Sequence, residues 1–273
     1  MLVAIKVELR AEQNAELPAD VGRANYAEVL NQFNRIDGTL ARAAHEGNGP
    51  KPLTCSSLIG AQARGRSLFV QAGDRCALRV TGLTPEISKG LLAVLVASPP
   101  AIWRIHGCSF AVTQAVCDAA LDPWTGRSTY EALAAEPLLN RSPRNWLSFT
   151  FGSPTAFKLG GHHVPLPLPE LVFGSLADRW NEFSPTLFSP SMRAFGHEFI
   201  AIADYNLRSR RTVTKGNGLV IGGVGSVTYK CFAPNADWLA QVQVLASFAV
   251  FSGVGVKTAE GMGQCRCLCE SER

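Results

Sequence analysis

The order in which strand-like and helix-like segments follow one another is the feature of this sequence that most restricts its fold. In the first half, a strand pattern over residues 2–9 precedes a helical stripe over residues 26–36, and short β-rich runs cut by glycines follow over residues 52–83. A second helix begins at Thr84-Pro85, with the threonine as cap and the proline at the first helical position, and residues 101–116 return to extended structure. This βαββαβ order predicts the split βαβ arrangement of a ferredoxin-like fold.

The second half of the chain repeats that order. A strand with a bend at Ser153-Pro154 leads through a proline-rich stretch into a helix with an apolar stripe over residues 172–183. A long hairpin over residues 198–231, a helix capped by Asp237 and a last strand from Gly263 follow. The sequence therefore predicts an α+β protein with two tandem ferredoxin-like (RRM-like) domains whose sheets are antiparallel. The predicted domains are residues 1–122 and 145–273, joined by a linker over residues 123–144.

Composition sets wide bounds on what such a chain does. Hydrophobic residues make up 47% and charged residues 18%, which is typical of a globular protein. The net charge of +4 permits an acidic partner without requiring one. No apolar run approaches the ~20 residues of a membrane span, and the start MLVAIKVELR lacks the features of a signal peptide. We expect a cytoplasmic protein.

The cysteines favour a structural role over a metal site. The pattern CRCLC places Cys265, Cys267 and Cys269 at alternate positions, which is one face of a strand. Zinc sites usually show C-x-x-C pairs or matching histidines, and neither occurs. We expect a terminal strand with small thiols packed inward, no bound metal and no cofactor.

Glycines recur around Lys257 in the stretch FSGVGVKTAEGMGQ, residues 251–264. A P-loop needs glycine directly before the lysine, where this chain has Val256, and a dinucleotide fingerprint needs a third glycine where it has Thr258. The predicted helix also precedes the glycines, so no helix N-terminus faces an anion. Bare backbone N–H groups and a lysine suit a polyphosphate chain such as RNA better than a mononucleotide. Alternatively, the glycines only end the helix and turn the chain. The candidate RNA contacts are Gly253, Gly255, Lys257, Gly261 and Gly263.

A basic run lies on the predicted long hairpin. Arg208, Arg210, Arg211 and Lys215 fall within LRSRRTVTK, with the first two on one strand face. Such charge can simply protect a solvated strand edge. It can also form a ribbon that contacts RNA phosphates.

Three segments resemble one family in order along the chain. Residues 251–264 resemble the C-terminal glycine-rich motif of the CRISPR-associated repeat-processing endoribonucleases, members of the repeat-associated mysterious protein superfamily. FGSPTAFK, residues 151–158, is similar to the family's stretch that opens its second domain. HEGNGPKPLTCSSLIG, residues 45–60, resembles the segment that carries the family's catalytic histidine. The family has two tandem ferredoxin-like domains, in agreement with the fold predicted above.

The resemblance implies a substrate, a reaction and site residues. The family cuts precursor RNA within each repeat to release guide RNAs, without metal, by attack of a 2′-OH on the adjacent phosphate to leave a 2′,3′-cyclic phosphate and a 5′-OH. His45 matches the catalytic position, Lys51 in the same loop would supply charge, and Tyr26 on the preceding helix would supply a hydroxyl donor. Lys158 in the second segment is a further candidate RNA contact, and the pair His162-His163, in the loop LGGHHVPLP, is either simple surface or touches RNA near the cut.

Other interpretations remain open for these residues and for the whole chain. A histidine in a polar loop is often only a solvated surface residue, and Tyr26 opens an apolar stripe that suits a core tyrosine. A relative that binds repeat RNA without cutting it, as a subunit of a guide-RNA effector complex, is the nearest alternative. A nucleotide-dependent enzyme and a purely structural module explain fewer of the motifs.

Overall fold

The structure is a computed structural model that describes residues 1–47, 49–139, 144–213 and 218–268, with the side chains of residues 138 and 139 left out. The backbone separates into two compact units. Unit 1 comprises Met1–Arg127 together with Lys257–Met262. Unit 2 comprises Ser128–Val256 together with the described residues from Gly263 onward. The glycine-rich segment is therefore divided between the two units.

Unit 1 has the predicted ferredoxin-like sheet. Its helices are α1 (Gly22–Ile36), α2 (Gly38–His45) and α3 (Pro85–Leu92), the last continued by a π-helical turn over Ala93–Ala97. Its strands are β1 (Leu2–Ala11), β2 (Ala15–Pro18), β3 (Leu53–Cys55), β4 (Gln62–Arg64), β5 (Ser67–Val70), β6 (Arg75–Gly82), β7 (Ile102–Ile105) and β8 (Cys108–Val116), followed by β9 (Gly126–Ser128) at the boundary of the unit. The main sheet has the order β3-β6-β1-β8-β7 with antiparallel pairs. The strands β3, β6, β1 and β8 thus keep the split βαβ order.

Local sequence signals explain how the helices of unit 1 begin. The N–H of Ile87 donates to Oγ1 of Thr84 (3.4 Å), which confirms Thr84 as the cap of α3. The sequence did not predict α2 as a separate helix. It begins because Asp37 accepts a hydrogen bond from the N–H of Thr39 (2.8 Å) and caps a new first turn. The stripe of α1, with Val29 and Phe33 fully buried, packs in the same core cluster as the inward face of β1.

Unit 2 repeats the ferredoxin-like order. Its helices are α4 (Tyr130–Leu139), α5 (Pro169–Phe183), α6 (Met192–Phe199) and α7 (Ala236–Ser252). Its strands are β10 (Trp146–Thr155), β11 (Phe157–Leu159), β12 (His162–Val164), β13 (Ile200–Val213), β14 (Leu219–Cys231) and β15 (Cys265–Cys267). The main sheet has the order β13-β14-β10-β15 and is antiparallel. Phe149 of β10, Phe173 of α5 and Tyr229 of β14 pack edge to face in its core.

Two features of unit 2 differ from the sequence interpretation. The predicted linker contains α4, whose Tyr130 ring packs edge-on against Trp180 at a centroid distance of 4.9 Å. The cap of α7 is Asn235 and not Asp237, because the side chain of Asn235 accepts from the N–H of Trp238 (3.1 Å). Both side chains are good caps, so residue type alone does not separate two positions this close together. The predicted domain limits, residues 122 and 145, stay predictions.

An ion pair at the end of unit 1 predicts how acid affects stability. Nζ of Lys6 lies 2.8 Å from Oδ2 of Asp122, with side chains 28% and 18% exposed. Burial alone would raise the pKa of Asp122, but the hydrogen bonds from Lys6 and from the N–H of Trp124 hold it below its usual value. The charge of Arg79 acts in the same direction. Because the folded state lowers this pKa, the carboxylate stabilises the fold above about pH 4, and the contribution is lost as the pH falls through the lowered pKa.

We therefore expect Asp122→Asn to reduce the free energy of unfolding by about 1–2 kcal/mol at pH 7. The difference from the parent should shrink as the pH falls below about 4, where the carboxyl becomes protonated. Urea unfolding at several pH values measures both. Equal free energies of unfolding for the two proteins at every pH would show that the ion pair does not contribute to stability.

Candidate RNA-cleavage site

His45 lies at the end of α2, where a lysine fixes the following turn. The last carbonyl groups of a helix lack partners within the helix, and a cationic side chain can satisfy them. Nζ of Lys51 donates to the carbonyl oxygens of His45 (2.7 Å), Glu46 (3.3 Å) and Gly47 (2.6 Å). The structure thus brings Lys51 to the backbone of His45 and holds the exposed imidazole at a defined place on the surface.

Tyr26 reaches the same imidazole from α1. Its hydroxyl donates to the carbonyl oxygen of Ala44 (3.0 Å) and lies 3.4 Å from Nδ1 of His45. Burial, and then the nearby Cys55 and Glu260, raise the pKa of Tyr26 to about 12. The hydroxyl therefore keeps its proton at neutral pH and serves as a hydrogen-bonding group rather than a base. Tyr26 is half-buried: it packs against the hydrophobic core of unit 1, while its hydroxyl makes the polar contacts with Ala44 and His45.

Unit 1 also includes part of the glycine-rich segment. The N–H of Gly261 donates to the carbonyl oxygen of Cys55 (2.9 Å), at the end of β3. The backbone at Glu260 and Gly261 lies so close to Gly22 that a Cβ there would meet the carbonyl of Glu260 at 2.3 Å. The carboxylate Oε2 of Glu260 is 3.7 Å from Nζ of Lys257 and 4.0 Å from Nε of Arg23. Glu260, whose charge acts on Tyr26, thus has two cations of unit 1 beside it.

The rest of the glycine-rich segment belongs to unit 2. Gly253 (φ 59°) ends α7, and Gly255 (φ 76°) and Gly263 (φ 70°) also have left-handed backbone. A Cβ on Gly255 would lie 2.2 Å from the carbonyl oxygen of Ala156, so both its φ and its surroundings require glycine.

The N–H groups of the four glycines described above donate hydrogen bonds within the protein. The N–H groups of Gly253, Gly255 and Gly263 donate to Ala249 O (2.9 Å), Ser175 Oγ (2.9 Å) and Pro154 O (3.0 Å), and that of Gly261 to Cys55 O as given above. In the RNA-free protein these glycine N–H groups therefore already have partners, and their contact with RNA stays a prediction. The glycines allow left-handed backbone and close packing, while Lys257 presents a partly exposed charge.

A short two-stranded ribbon carries three further predicted residues. The strands β11 and β12 pair so that Lys158 lies opposite His163 and Leu159 opposite His162. Directly opposed residues of an antiparallel pair share one face. The structure therefore brings Lys158 and His163 together on one exposed face and places His162 on the other.

The predicted basic residues of the long hairpin lie on β13. Arg208, Arg210 and Arg211 are exposed and pair in register with Val224, Gly222 and Ile221 of β14. Within the described part of the chain, no carboxylate forms an ion pair with these arginines. Lys215 lies outside the described residues.

The cysteine pattern forms a strand, as predicted, over the residues that the structure describes. Cys265 and Cys267 lie on β15, paired with Phe151 and Phe149 of β10, and Cys265 is buried. Cys269 lies outside the described residues. Across residues 1–47, 49–139, 144–213 and 218–268, no three His, Cys, Asp or Glu side chains come together as a metal site. No helix in that part of the chain is long and apolar enough to cross a bilayer.

Sequence reasoning missed several residues around these features. Arg23 and Glu260 were not singled out, although Glu260 lies within the glycine-rich stretch. Ser175 accepts a hydrogen bond from the N–H of Gly255, and Arg179 donates one to the carbonyl oxygen of Gly255. One signal was available, since Arg179 follows Leu176 at helical spacing and so falls on the apolar stripe of α5.

Comparison with known proteins gives a family match in the second half of the chain. The model of the family described as "CRISPR-associated endoribonuclease Cas6" matches residues 149–265. Curated proteins of that name from two strains of Mycobacterium tuberculosis, CDC 1551 / Oshkosh and ATCC 25618 / H37Rv, are each 31% identical over 120 residues. That alignment covers 42% of this chain and only 37% of theirs, well under two thirds of the relatives' length.

Likeness to solved structures extends over nearly the whole chain. A Cas6 product complex is similar with a TM-score of 0.81 at 27% identity, over 98% of this chain and 100% of the other. Thermus thermophilus Cas6 gives a TM-score of 0.72 at 27% identity, over 98% of each chain. "An RAMP protein binding different RNA substrates" has the same fold, with a TM-score of 0.62 at 17% identity over 98% of this chain and 100% of that one. This chain is therefore similar to Cas6 proteins in sequence over residues 149–265 and in fold along nearly its whole length.

Proposed function

We propose that this chain is an endoribonuclease that cleaves CRISPR precursor RNA within its repeats, without metal, by attack of a 2′-OH on the adjacent phosphate. The products would be guide RNAs ending in a 2′,3′-cyclic phosphate and partners beginning with a 5′-OH. The observation that carries this proposal is the contact between the Tyr26 hydroxyl and Nδ1 of the exposed His45, in a turn that Lys51 holds. The similarity of the second half to the Cas6 endoribonuclease family, and of the whole fold to solved Cas6 structures, supports it. Such a reaction on newly made transcripts belongs in the cytoplasm.

The hydrogen bonds around His45 indicate which nitrogen reacts. The single proton of the Tyr26 hydroxyl is donated to Ala44 O, so the tyrosine oxygen is left to accept from Nδ1–H of His45. In the neutral imidazole the lone pair then lies on Nε2, which can take the 2′-OH proton, and the imidazolium can return a proton to the 5′-leaving oxygen. We assign Tyr26 and Lys51 to orientation of this imidazole.

Charge on the phosphorane needs a cation close to the scissile phosphate. Lys257 is the sequence-predicted candidate within the glycine-rich segment, and Arg23 is the one that the structure adds, because both flank Glu260 in unit 1. We propose that the arginines of β13 and the face of β11 and β12 with Lys158 and His163 bind the RNA backbone elsewhere. The similar solved structures include Cas6 product and substrate-mimic complexes.

Incubation of the purified chain with repeat RNA from its own genome, in excess EDTA, tests the proposal directly. We expect cleavage at one position per repeat, because His45 and its neighbours supply the proton transfers. The 5′-OH ends should accept label from a polynucleotide kinase without prior phosphatase treatment, and the 3′ ends should carry the cyclic phosphate by mass spectrometry. Activity that disappears in EDTA and returns with Mg²⁺ would contradict the metal-free mechanism. Tight binding with no cleavage in either buffer would instead favour the non-catalytic subunit of an effector complex.

A further inference from the structure

One arginine of unit 2 is buried without the partners that a buried charge normally has. Arg179 on α5 is only 7% exposed, and its Nε and Nη1 atoms have no hydrogen-bond partner among the described residues. The neighbouring carboxylate of Asp178 forms its ion pair with Arg193, with Oδ2 2.7 Å from Nη2, although its charge also favours the charged form of Arg179 and raises the pKa of that side chain. Burial lowers the pKa of Arg179 to about 10, so the guanidinium is still charged at neutral pH.

Among the residues that the structure describes, Arg179 hydrogen-bonds to the glycine-rich segment. Its Nη2 donates to the carbonyl oxygen of Gly255 (2.7 Å). Ser175, one turn earlier on the same face of α5, accepts from the N–H of Gly255 (2.9 Å). The next N–H, that of Val256, donates to Ala156 O (2.9 Å). Three hydrogen bonds thus fix the backbone of Gly255 and Val256, the two residues directly before Lys257.

The buried guanidinium of Arg179 is not expected to increase the stability of the fold. A buried charge without a counter-ion is unfavourable, and its replacement by an apolar side chain of similar volume is often neutral or stabilising. Unsatisfied buried donors in a folded protein call for another explanation, such as a functional constraint. The partner of Arg179 indicates what this functional constraint is. Arg179 binds the carbonyl of Gly255, a residue with left-handed backbone at the start of the turn that leads to Lys257.

We propose that Arg179 is a positioning residue that, together with Ser175, clamps the Gly255 peptide unit and thereby sets the place of Lys257 against an RNA phosphate. Only Val256 separates Gly255 from Lys257, so a change in the direction of the Gly255 carbonyl moves the lysine backbone with it. This inference rests on the proposed function for its RNA partner. The clamp itself is a property of the free protein and is measured there first.

Hydrogen–deuterium exchange of the RNA-free protein tests the clamp. In Arg179→Met the peptides covering residues 253–263 should exchange faster, while the melting temperature stays equal or rises because the buried charge is gone. Arg179→Lys keeps one donor for Gly255 O and should restore most of the protection. Unchanged exchange in Arg179→Met would overturn the inference, whatever the RNA measurements show. If Arg179→Met fails to fold, Ser175→Ala removes the other half of the clamp and should also speed exchange over these residues.

A double-mutant cycle tests the link to Lys257. In the parent, Lys257→Ala should weaken binding of repeat RNA about tenfold and reduce the slope of log affinity against log salt by about one unit. In the Arg179→Met background the same change should have almost no further effect, because the lysine is already displaced. Arg193→Met, an exposed arginine on α6 next to Asp178, is the matched control and should leave the full effect of Lys257→Ala. Additive losses for Arg179→Met and Lys257→Ala would overturn the inference, whereas a parent that neither binds nor cuts repeat RNA would overturn only the proposed function.

Discussion

His45→Ala is expected to lower the rate of repeat cleavage by roughly 10²–10⁴, the usual contribution of one general acid or base. The affinity for repeat RNA should change little, because the imidazole is one small contact within a large charged surface. Single-turnover kinetics with enzyme in excess measure the chemical step, and filter binding measures the affinity. Tyr26→Phe should reduce the same rate by a smaller factor, since it removes the acceptor for Nδ1–H and leaves the imidazole in place.

His106→Ala is the matched control for that experiment. His106 is an exposed histidine of unit 1 in the turn between β7 and β8, so its loss removes an imidazole without touching α1 or α2. Its rate should equal that of the parent. A near-parental rate for His45→Ala would move the proton transfer to His162, His163 or another mechanism.

A repeat RNA with a single 2′-deoxy nucleotide just upstream of the scissile bond should not be cleaved at all. The proposed nucleophile is that 2′-OH, and no other group of the substrate can form the cyclic phosphate. Binding should stay within about twofold of the unmodified RNA, because phosphate contacts carry most of the affinity. Gel analysis of long incubations measures the residual cleavage.

A 2′-deoxy substitution at a different nucleotide is the control for this substrate. The same substitution one nucleotide downstream leaves the proposed nucleophile intact, so that RNA should be cleaved at close to the normal rate. Cleavage of the upstream deoxy RNA at the usual site would show that the nucleophile is not the 2′-OH. Water, activated by some other group, would then have to replace it.

The fold could be predicted from the sequence because its signals are local and repeated. Strand and helix patterns occur in the order βαββαβ in each half, and the cap at Thr84 follows from one side chain and one N–H. The same reasoning placed the cap of α7 at Asp237 when Asn235 forms it. Helix α4 was missed because its apolar residues do not form a one-sided stripe, and its place depends on contacts such as that of Tyr130 with Trp180.

The candidate site could be predicted only in part, for a physical reason. The family resemblance located His45, Lys51 and Tyr26, and the structure brings these three together at the end of α2. The hydrogen bonds of the glycines depend on distant partners such as Pro154 and Cys55, which spacing within the motif cannot reveal. The same holds for Arg179. An arginine on the apolar stripe of a helix indicates an unusual buried charge, but the sequence does not show that this side chain contacts the carbonyl of Gly255.

The division of the glycine-rich segment has a consequence for the order of events during translation. Lys257–Met262 belongs to unit 1, yet all of Ser128–Val256 is synthesised between it and the rest of that unit. Domains generally fold as they leave the ribosome, and a contact across a long stretch of chain must wait for its second half. The N-terminal residues can therefore form their sheet early, but the N–H of Gly261 reaches Cys55 only after all of Ser128–Val256 has been synthesised. Until that segment is synthesised the charge of Glu260 cannot act on Tyr26, so the surroundings of this tyrosine are among the last parts of unit 1 to be completed.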